Sequence, residues 1–598
     1  MNAVATTGQA LRDAAGDAKR SWSGGGWLAV GGLALAALLP VVLPESVQID
    51  RLAETGYLAL AAVGLGFAVG IGGMPSVAQG AFVGVGAVIA AHLAAHGWPV
   101  LAAALLGAAA AALGGVVVGA AIVRFRPVYV VAVTWIVTWL FALGLDAFPS
   151  ISGGAQGVVV TPAWTPTVHY ELALGLVALA TLAHWTLARS SFGLALRAAA
   201  ERPAGAAALG TEAAWLRLRA FAGSAAVAGL AGGLAVQLVG VADQSAYGPE
   251  LSFRLLVAVL VGGAVSALGP TVGVLLLGTL SLLGDGLADL TGADNVRFSP
   301  MLAALLLLAV LAAGGDGIVP AIVRRLRRER ETDDVPAPSP SPDGAELEVR
   351  GLARRFGGLV ALEGLDLDVR PGGVVALVGP NGSGKTTALR LLAGTMRPDS
   401  GKISLDGLDV TGRPAGALVR RGLVRTLQAS AVFPTLTVLE NAVVGASMRR
   451  RCGGALRSLF ATPKARREAL ETRSRALTAL AVVGLDDRAD DEAGSLTCPE
   501  QRLLMIASAL ATEPRVLLLD EPSAGAGPDE LERLERVLSG LGERGLAVLV
   551  VEHNLRLVRS VAKGVVVLDA GARLASGSPD EVAHNPAVRE AYLGRQFL

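Results

Sequence analysis

Residues Val374–Gly394 read VVALVGPNGSGKTTALRLLAG. Five apolar residues precede a glycine-rich loop and an apolar-periodic run, which predicts a buried strand, a tight loop and a helix. Gly379, Gly384, Lys385 and Thr386 fit the spacing G-x-x-x-x-G-K-[ST]. Glycine lets such a loop turn back until backbone N–H groups and a helix N-terminus face phosphate. Asn381, Gly382, Ser383 and Thr387 complete the cradle. Lys385 offers a point charge to β/γ-phosphates, and Thr386 offers a hydroxyl to Mg²⁺.

The rest of the chemistry follows in order. The stretch RVLLLDEPSAG (Arg515–Gly525) is an apolar strand ending in Asp520 and Glu521. Asp520 suits Mg²⁺, and Glu521 suits polarisation of an attacking water. A second apolar strand, AVLVVEHN (Ala547–Asn554), ends at His553, placed to sense a γ-phosphate. VRTLQ (Val424–Gln428) brings Gln428 within reach of metal and water. Carboxylates and histidines at strand ends are common, so the order and spacing after the phosphate loop carry the reading. This half is therefore an α/β P-loop NTPase.

The first half has a different composition. Of 598 residues, 53% are hydrophobic and only 17% charged, and the mean hydropathy is +0.55; the apolar runs lie between Gly26 and Val323. In hydrocarbon a helix satisfies its backbone polar groups within one segment, so each long run predicts a spanning helix. The runs fall near 26–44, 56–74, 77–95, 98–123, 127–147, 171–188, 219–240, 254–267, 270–284 and 300–323. That makes about ten, with the eighth and ninth short for full spans. Arginines cluster around Arg124–Arg126, Arg189–Arg219 and Arg324–Arg330, whereas residues 149–171 carry no Lys or Arg. The basic loops then lie inside, with both termini cytoplasmic in a multi-pass cell (inner or plasma) membrane protein. Arg51 and Arg297 are isolated exceptions.

Two stretches of this half match one another. GGMPSVAQGAFVG (Gly72–Gly84) and GGAVSALGPTVG (Gly262–Gly273) share Gly-Gly-x-x-Ser, a short gap and Gly-x-x-x-Gly. Interrupted helices at matching positions mark duplicated transporter folds, with substrate near the break. That reading makes Gly72, Gly73, Ser76, Gly262, Gly263 and Ser266 substrate-path candidates; close small-residue helix packing produces the same pattern. The expected organisation is a cytoplasmic tail (1–25), a polytopic α-helical membrane domain (26–325), a Pro/Ser-rich tether (326–345) and the NTPase domain (346–598). A net charge of +1 gives no global field for nucleic acid. Cys452 and Cys498 match neither a disulfide framework nor a metal-ligand spacing.

Residues from about 347 to 598 resemble the ATP-binding-cassette (ABC) ATPases, in particular the cytoplasmic ATPase of branched-chain (hydrophobic) amino acid importers. RFGGLVALEGLDLDV (355–369), GLVRTLQASAVFPTLTVLENAVVG (422–445) and DEVAHNPAVREAYLG (580–594) carry that resemblance. The membrane half is similar to the second permease of the same importers through GGMPSVAQGAFVGVGA (72–87), ISGGAQG (151–157), RSSFGLALRAAAERPAGAAALG (189–210) and LVGGAVSALGPTVG (260–273). The resemblance implies a fused permease and transport-coupled ATP hydrolase, with ATP and Mg²⁺ as cofactors. It also implies a second permease, a second ATPase and an extracytoplasmic substrate-binding protein. Phe356 sits where the family stacks an aromatic ring on adenine, and Arg189–Gly210 where a cytoplasmic coupling segment docks. Related systems carry urea or short amides, and an ABC exporter or a regulatory ATPase is a further alternative.

One departure stands out. The family signature, a Leu-Ser-x-Gly-Gln/Glu-Gln form acting on the partner's ATP, is here Leu496, Thr497, Cys498, Pro499, Glu500 and Gln501. Pro499 removes an N–H where a glycine amide is implied. Thr497-x-x-Glu500 still fits a capping box, so the helix is expected to form. Two readings stay open: one degenerate ATP site in a heteromer, or a tolerated substitution.

Overall fold

The computed structural model describes residues 49–291, 298–312, 314, 317–326, 344–426, 432–447 and 463–593. The N-terminal tail, the first apolar run, Arg297, Cys452, Gln428 and most of the tether lie outside the described residues. The chain forms two compact units, one of residues 1–185 and 217–328, the other of residues 186–216 and 329–598.

In the first unit the described residues form the helices Ile49–Gly66, Gln79–Ala95, Val100–Ile122, Pro127–Ala147, Pro166–Arg189, Ala213–Val239, Pro249–Gly262, Gly269–Thr291, Phe298–Ala312 and Ile318–Leu326. The helices Pro166–Arg189 and Ala213–Val239 run across the boundary between units. Among the described residues, five helices are long and apolar enough to cross a membrane, with three shorter apolar helices beside them. The single run read at 300–323 holds two described helices, one ending at Ala312 and one starting at Ile318, with Gly314 and Gly317 between them at φ +119° and +91°, outside the helical range. Two short strands, β1 (Val158–Val159) and β2 (Val241–Ala242), pair antiparallel.

Both matched stretches are breaks. The first helix ends in a π-helical turn, Phe67–Ile71, and residues 72–78 are non-helical before Gln79 starts the next helix. Thr134 and Thr138, one turn apart on Pro127–Ala147, hold the unwound backbone. Thr134 Oγ1 accepts from the Val77 N–H at 3.0 Å, and Thr138 Oγ1 donates to the Val77 carbonyl at 2.7 Å. The second break lies at 263–268, between Pro249–Gly262 and Gly269–Thr291. The two breaks touch: a Cβ on Gly70 would sit 2.1 Å from the Ala264 carbonyl oxygen, so only glycine fits there.

The second unit contains β3 (Leu347–Phe356), β4 (Leu359–Val369), β5 (Val374–Val378), β6 (Ser400–Leu405), β7 (Leu408–Asp409), β8 (Leu423–Arg425), β9 (Val516–Asp520), β10 (Ala547–Val551), β11 (Gly564–Asp569) and β12 (Ala572–Gly577). One sheet has the order β12-β11-β5-β10-β9-β8, parallel except for the β12 edge, and the other is β4-β3-β6-β7. Strands β9 and β10 are buried at every residue, as parallel strands covered on both faces are. Residues 186–216 belong to this unit: Leu194, Ala198, Ala206 and Leu209 share a buried cluster with Phe433, Leu436 and Val444. Arg197 Nη2 donates to the Thr435 carbonyl at 3.3 Å, and the Thr435 hydroxyl donates to Glu201.

The joint variant Thr134→Val, Thr138→Val keeps side-chain volume but strands the N–H and C=O of Val77. At about 1–3 kcal/mol for each unsatisfied buried group, it should clearly lower the thermal midpoint of the detergent-purified protein. An unchanged midpoint would show that the two hydroxyls do not hold the break.

Candidate active site

Parallel strands deliver their carboxyl ends to one edge of the sheet, and ligands bind there. In register, Leu377 of β5 and Asp520 of β9 both lie beside Val551 of β10. The loop after β5, Asp520 and Glu521 at the end of β9 and His553 after β10 are thereby neighbours. Gly384 has φ +102°, and a Cβ there would fall 2.5 Å from the Ala361 carbonyl oxygen, which accounts for glycine before Lys385.

Lys385 opens the helix Lys385–Leu392, and its ammonium lies within the loop. Nζ donates to the Gly379 and Pro380 carbonyls, both at 2.8 Å, and approaches Ser383 Oγ at 3.4 Å. Burial pushes the ammonium's pKa down, while the Glu521 and Asp520 carboxylates pull it back up. Thr386 and Thr387 follow half-buried on the same helix, and Ser383 is buried; Asn381 and Gly382 are exposed at the loop tip. Phe356, at the end of β3, exposes 43% of its surface, with the Arg354 guanidinium 5.3 Å from its ring centroid.

Asp520 is buried and, among the described residues, its carboxylate is bound on one side only. Arg425 Nη2 donates to Asp520 Oδ2 at 2.8 Å, both side chains being almost wholly enclosed. Oδ1 of the same carboxylate is buried and has no hydrogen-bond partner among the described residues. Arg425 was not anticipated from sequence, although it stands three residues before Gln428 at the end of β8. Glu521 adopts φ +47°, a left-handed conformation that costs a non-glycine residue of order 1–3 kcal/mol and concentrates at working sites. Its Oε1 lies 3.0 Å from His553 Nε2.

The signature helix, Cys498–Leu510, begins as the capping box anticipates. Thr497 is its N-cap, Pro499 falls in the first turn, and the Thr497 N–H donates to Glu500 Oε2 at 2.9 Å. The Thr497 hydroxyl also donates to that oxygen at 2.9 Å, and Arg488 Nη1 grips both carboxylate oxygens at 2.8 and 2.9 Å. Partial burial works to raise the pKa of Glu500, but the Thr497 N–H and hydroxyl and Arg488 outweigh it and hold the pKa below the usual range. Gln501 Nε2 donates to the Leu496 carbonyl at 3.0 Å, and Cys498 is an exposed free thiol. Of the substrate-path candidates, Gly72, Ser76, Gly262 and Gly263 are buried and Gly73 and Ser266 half-buried. They belong to the two breaks that meet at Gly70 and Ala264.

Three families match this chain: the permease component of branched-chain amino acid transport systems over residues 49–311, ABC transporters over 362–524, and branched-chain amino acid ATP-binding cassette transporters over 572–597. Over 249 residues it is 42% identical to the high-affinity branched-chain amino acid transport ATP-binding protein BraF of Pseudomonas aeruginosa, covering 42% of this chain and 97% of that protein. The chain belongs to the branched-chain amino acid ABC transporter family. It joins in one polypeptide a permease component and an ABC ATPase, whose ATP hydrolysis is coupled to transport. The transport ATP-binding protein LivG of Escherichia coli K12 is 38% identical over 249 residues, 42% of this chain and 97% of that protein. A solved nucleotide-free ATP-binding cassette from an ABC transporter is 29% identical, covering 42% of this chain and all of that one, with a TM-score of 0.37.

Arg425→Met leaves the Asp520 carboxylate buried without its cation, at a cost of about 3–5 kcal/mol. The melting midpoint of the ATPase unit should fall by roughly 10 °C, and Arg425→Lys should recover part of it. Equal midpoints for wild type and Arg425→Met would contradict this account.

Proposed function

We propose that this chain is the fused permease–ATPase subunit of an importer for branched-chain or related hydrophobic amino acids. The observation that carries the reading is the meeting of Lys385, Asp520, Glu521 and His553 at one sheet edge, on a chain that also matches the permease of the same transport system. Lys385 and the loop N–H groups cradle the phosphates of ATP, Glu521 orients and deprotonates the attacking water, and His553 holds the γ-phosphate end in place. Phe356 packs on adenine. The buried Asp520 Oδ1, without a partner among the described residues, fits a metal ion's water shell, so Asp520, Thr386 and Gln428 would hold Mg²⁺. When bound, that ion neutralises phosphate charge.

The subunit lies in the cell membrane with both termini and the ATPase in the cytoplasm, divided at residues 25, 325 and 345 into tail, permease, tether and ATPase. It works with a second permease, a second ATPase and an extracytoplasmic substrate-binding protein. Residues 189–210 act as the coupling segment, and the hydrogen bonds of Arg197 and Glu201 to Thr435 support that role. The glycine- and serine-bearing breaks line the substrate path.

The signature Thr497–Gln501 serves the partner's ATP, and Pro499 lacks the N–H that would bind its γ-phosphate. The Thr497 hydroxyl is moreover directed to Glu500. The assembly therefore holds one competent site, built on this chain's Lys385, Glu521 and His553, and one degenerate site.

In vesicles containing the full assembly and its binding protein, ATP should drive leucine inward, and Lys385→Ala should reduce uptake by about 100-fold or more. Uptake of urea without leucine would change the substrate, and outward movement would make the system an exporter. Pro499→Gly should raise ATP turnover at the degenerate site by about 10-fold or more, since one charge-assisted donor contributes about 1.5–3 kcal/mol. Unchanged turnover would remove the degenerate-site reading.

A further inference from the structure

We infer that Glu552 is the positioning residue that sets the geometry between Glu521 and His553, and that it does so through its negative charge. The inference rests on the reading of Glu521 and His553 as the working pair, and it assigns the group that holds them together.

Glu552 is the first residue after β10 and is 1% exposed. Its carboxylate collects four donors from two chain segments. The Ser523 N–H donates to Oε1 at 2.8 Å, and the Ser523 hydroxyl donates to Oε2 at 2.7 Å. The N–H groups of His553 and Asn554 donate to Oε2 at 3.1 and 3.3 Å. Ser523 lies two residues after Glu521, on the chain leaving β9; His553 and Asn554 leave β10. One carboxylate thus ties the exits of adjacent strands, with Glu521 on one and His553 on the other.

That tie works against a local preference. Glu521 sits at φ +47°, a conformation that persists only where surrounding structure over-determines it. The Glu521 N–H donates to Val551 O at 2.9 Å, fixing one side of the residue, and Ser523 on Glu552 fixes the other. Among the described residues the groups bonded to the Glu552 oxygens all donate, three of them N–H groups that can do nothing else, so the site selects an acceptor-only side chain. A glutamine of equal size would set its NH₂ against at least one N–H donor in either orientation and push the two exits apart. A displacement of about 1 Å at a catalytic pair costs about 10²-fold in rate.

The test uses the full chain purified with its companion subunits, with ATP turnover measured alongside nucleotide affinity from a fluorescent ATP analogue. Glu552→Gln should lower kcat by about 100-fold while the dissociation constant of the analogue stays within about twofold. Ser523→Ala, which removes one donor and keeps the backbone N–H, should lower kcat about tenfold, and Ser523→Thr should restore it. If Glu552→Gln fails to fold, the serine pair decides the matter alone. Equal losses of kcat and affinity, or wild-type kcat in Ser523→Ala, overturn the inference. Glu521→Gln and His553→Ala are measured in parallel. If they lose turnover while the Glu552 and Ser523 variants keep it, only the positioning role fails; if they keep turnover, the reading of the pair itself fails.

Discussion

The parallel pairing of β5, β10, β9 and β8 is the constraint on which the chemistry of the second unit depends. A parallel sheet sends every strand out at the same edge, so residues remote in sequence leave it side by side. Lys385 follows β5, Asp520 ends β9, His553 follows β10 and Arg425 ends β8. Such strands must be apolar throughout because both faces are covered, which leaves their ends as the places for polar groups. Those ends are crowded with charge: a buried ion pair at Arg425–Asp520, a strained Glu521 and a four-donor carboxylate at Glu552. The apolar sheet holds these groups in place.

The membrane unit answers a different constraint, the absence of water to satisfy an unwound backbone. Its first break survives because two threonines on a neighbouring helix serve the N–H and C=O of one residue, Val77. Glycine at position 70 then lets the second break approach to van der Waals distance. Hydroxyls and small residues together make an interrupted helix tolerable in a lipid setting.

The start of the helix Cys498–Leu510 shows how a first turn is secured around a proline. Proline suits a first helical turn, and the capping box of Thr497 and Glu500 secures the turn without the missing N–H. Arg488 reinforces the box from outside the helix. The helix start is therefore held by the Thr497–Glu500 box and Arg488, independently of an N–H at position 499.

The phosphate loop, the apolar strand ends with Asp520, Glu521 and His553, the helical runs and the capping box were legible in the sequence. Each depends on a local spacing or period that survives without tertiary context. The division of the last apolar run was not, because hydropathy alone does not register that Gly314 and Gly317 leave the helical conformation. Arg425, Glu552, Thr134 and Thr138 were also hidden, since a charge or hydroxyl inside a buried element declares no partner until another segment arrives. The grouping of residues 186–216 with the ATPase unit was likewise decided by packing around Phe433 and Leu436. By itself the sequence determined which groups this protein owns and in what local frames they sit. Only the tertiary structure decided which of them meet, because hydrogen bonds and ion pairs between distant segments depend on strand order and register rather than on neighbouring residues.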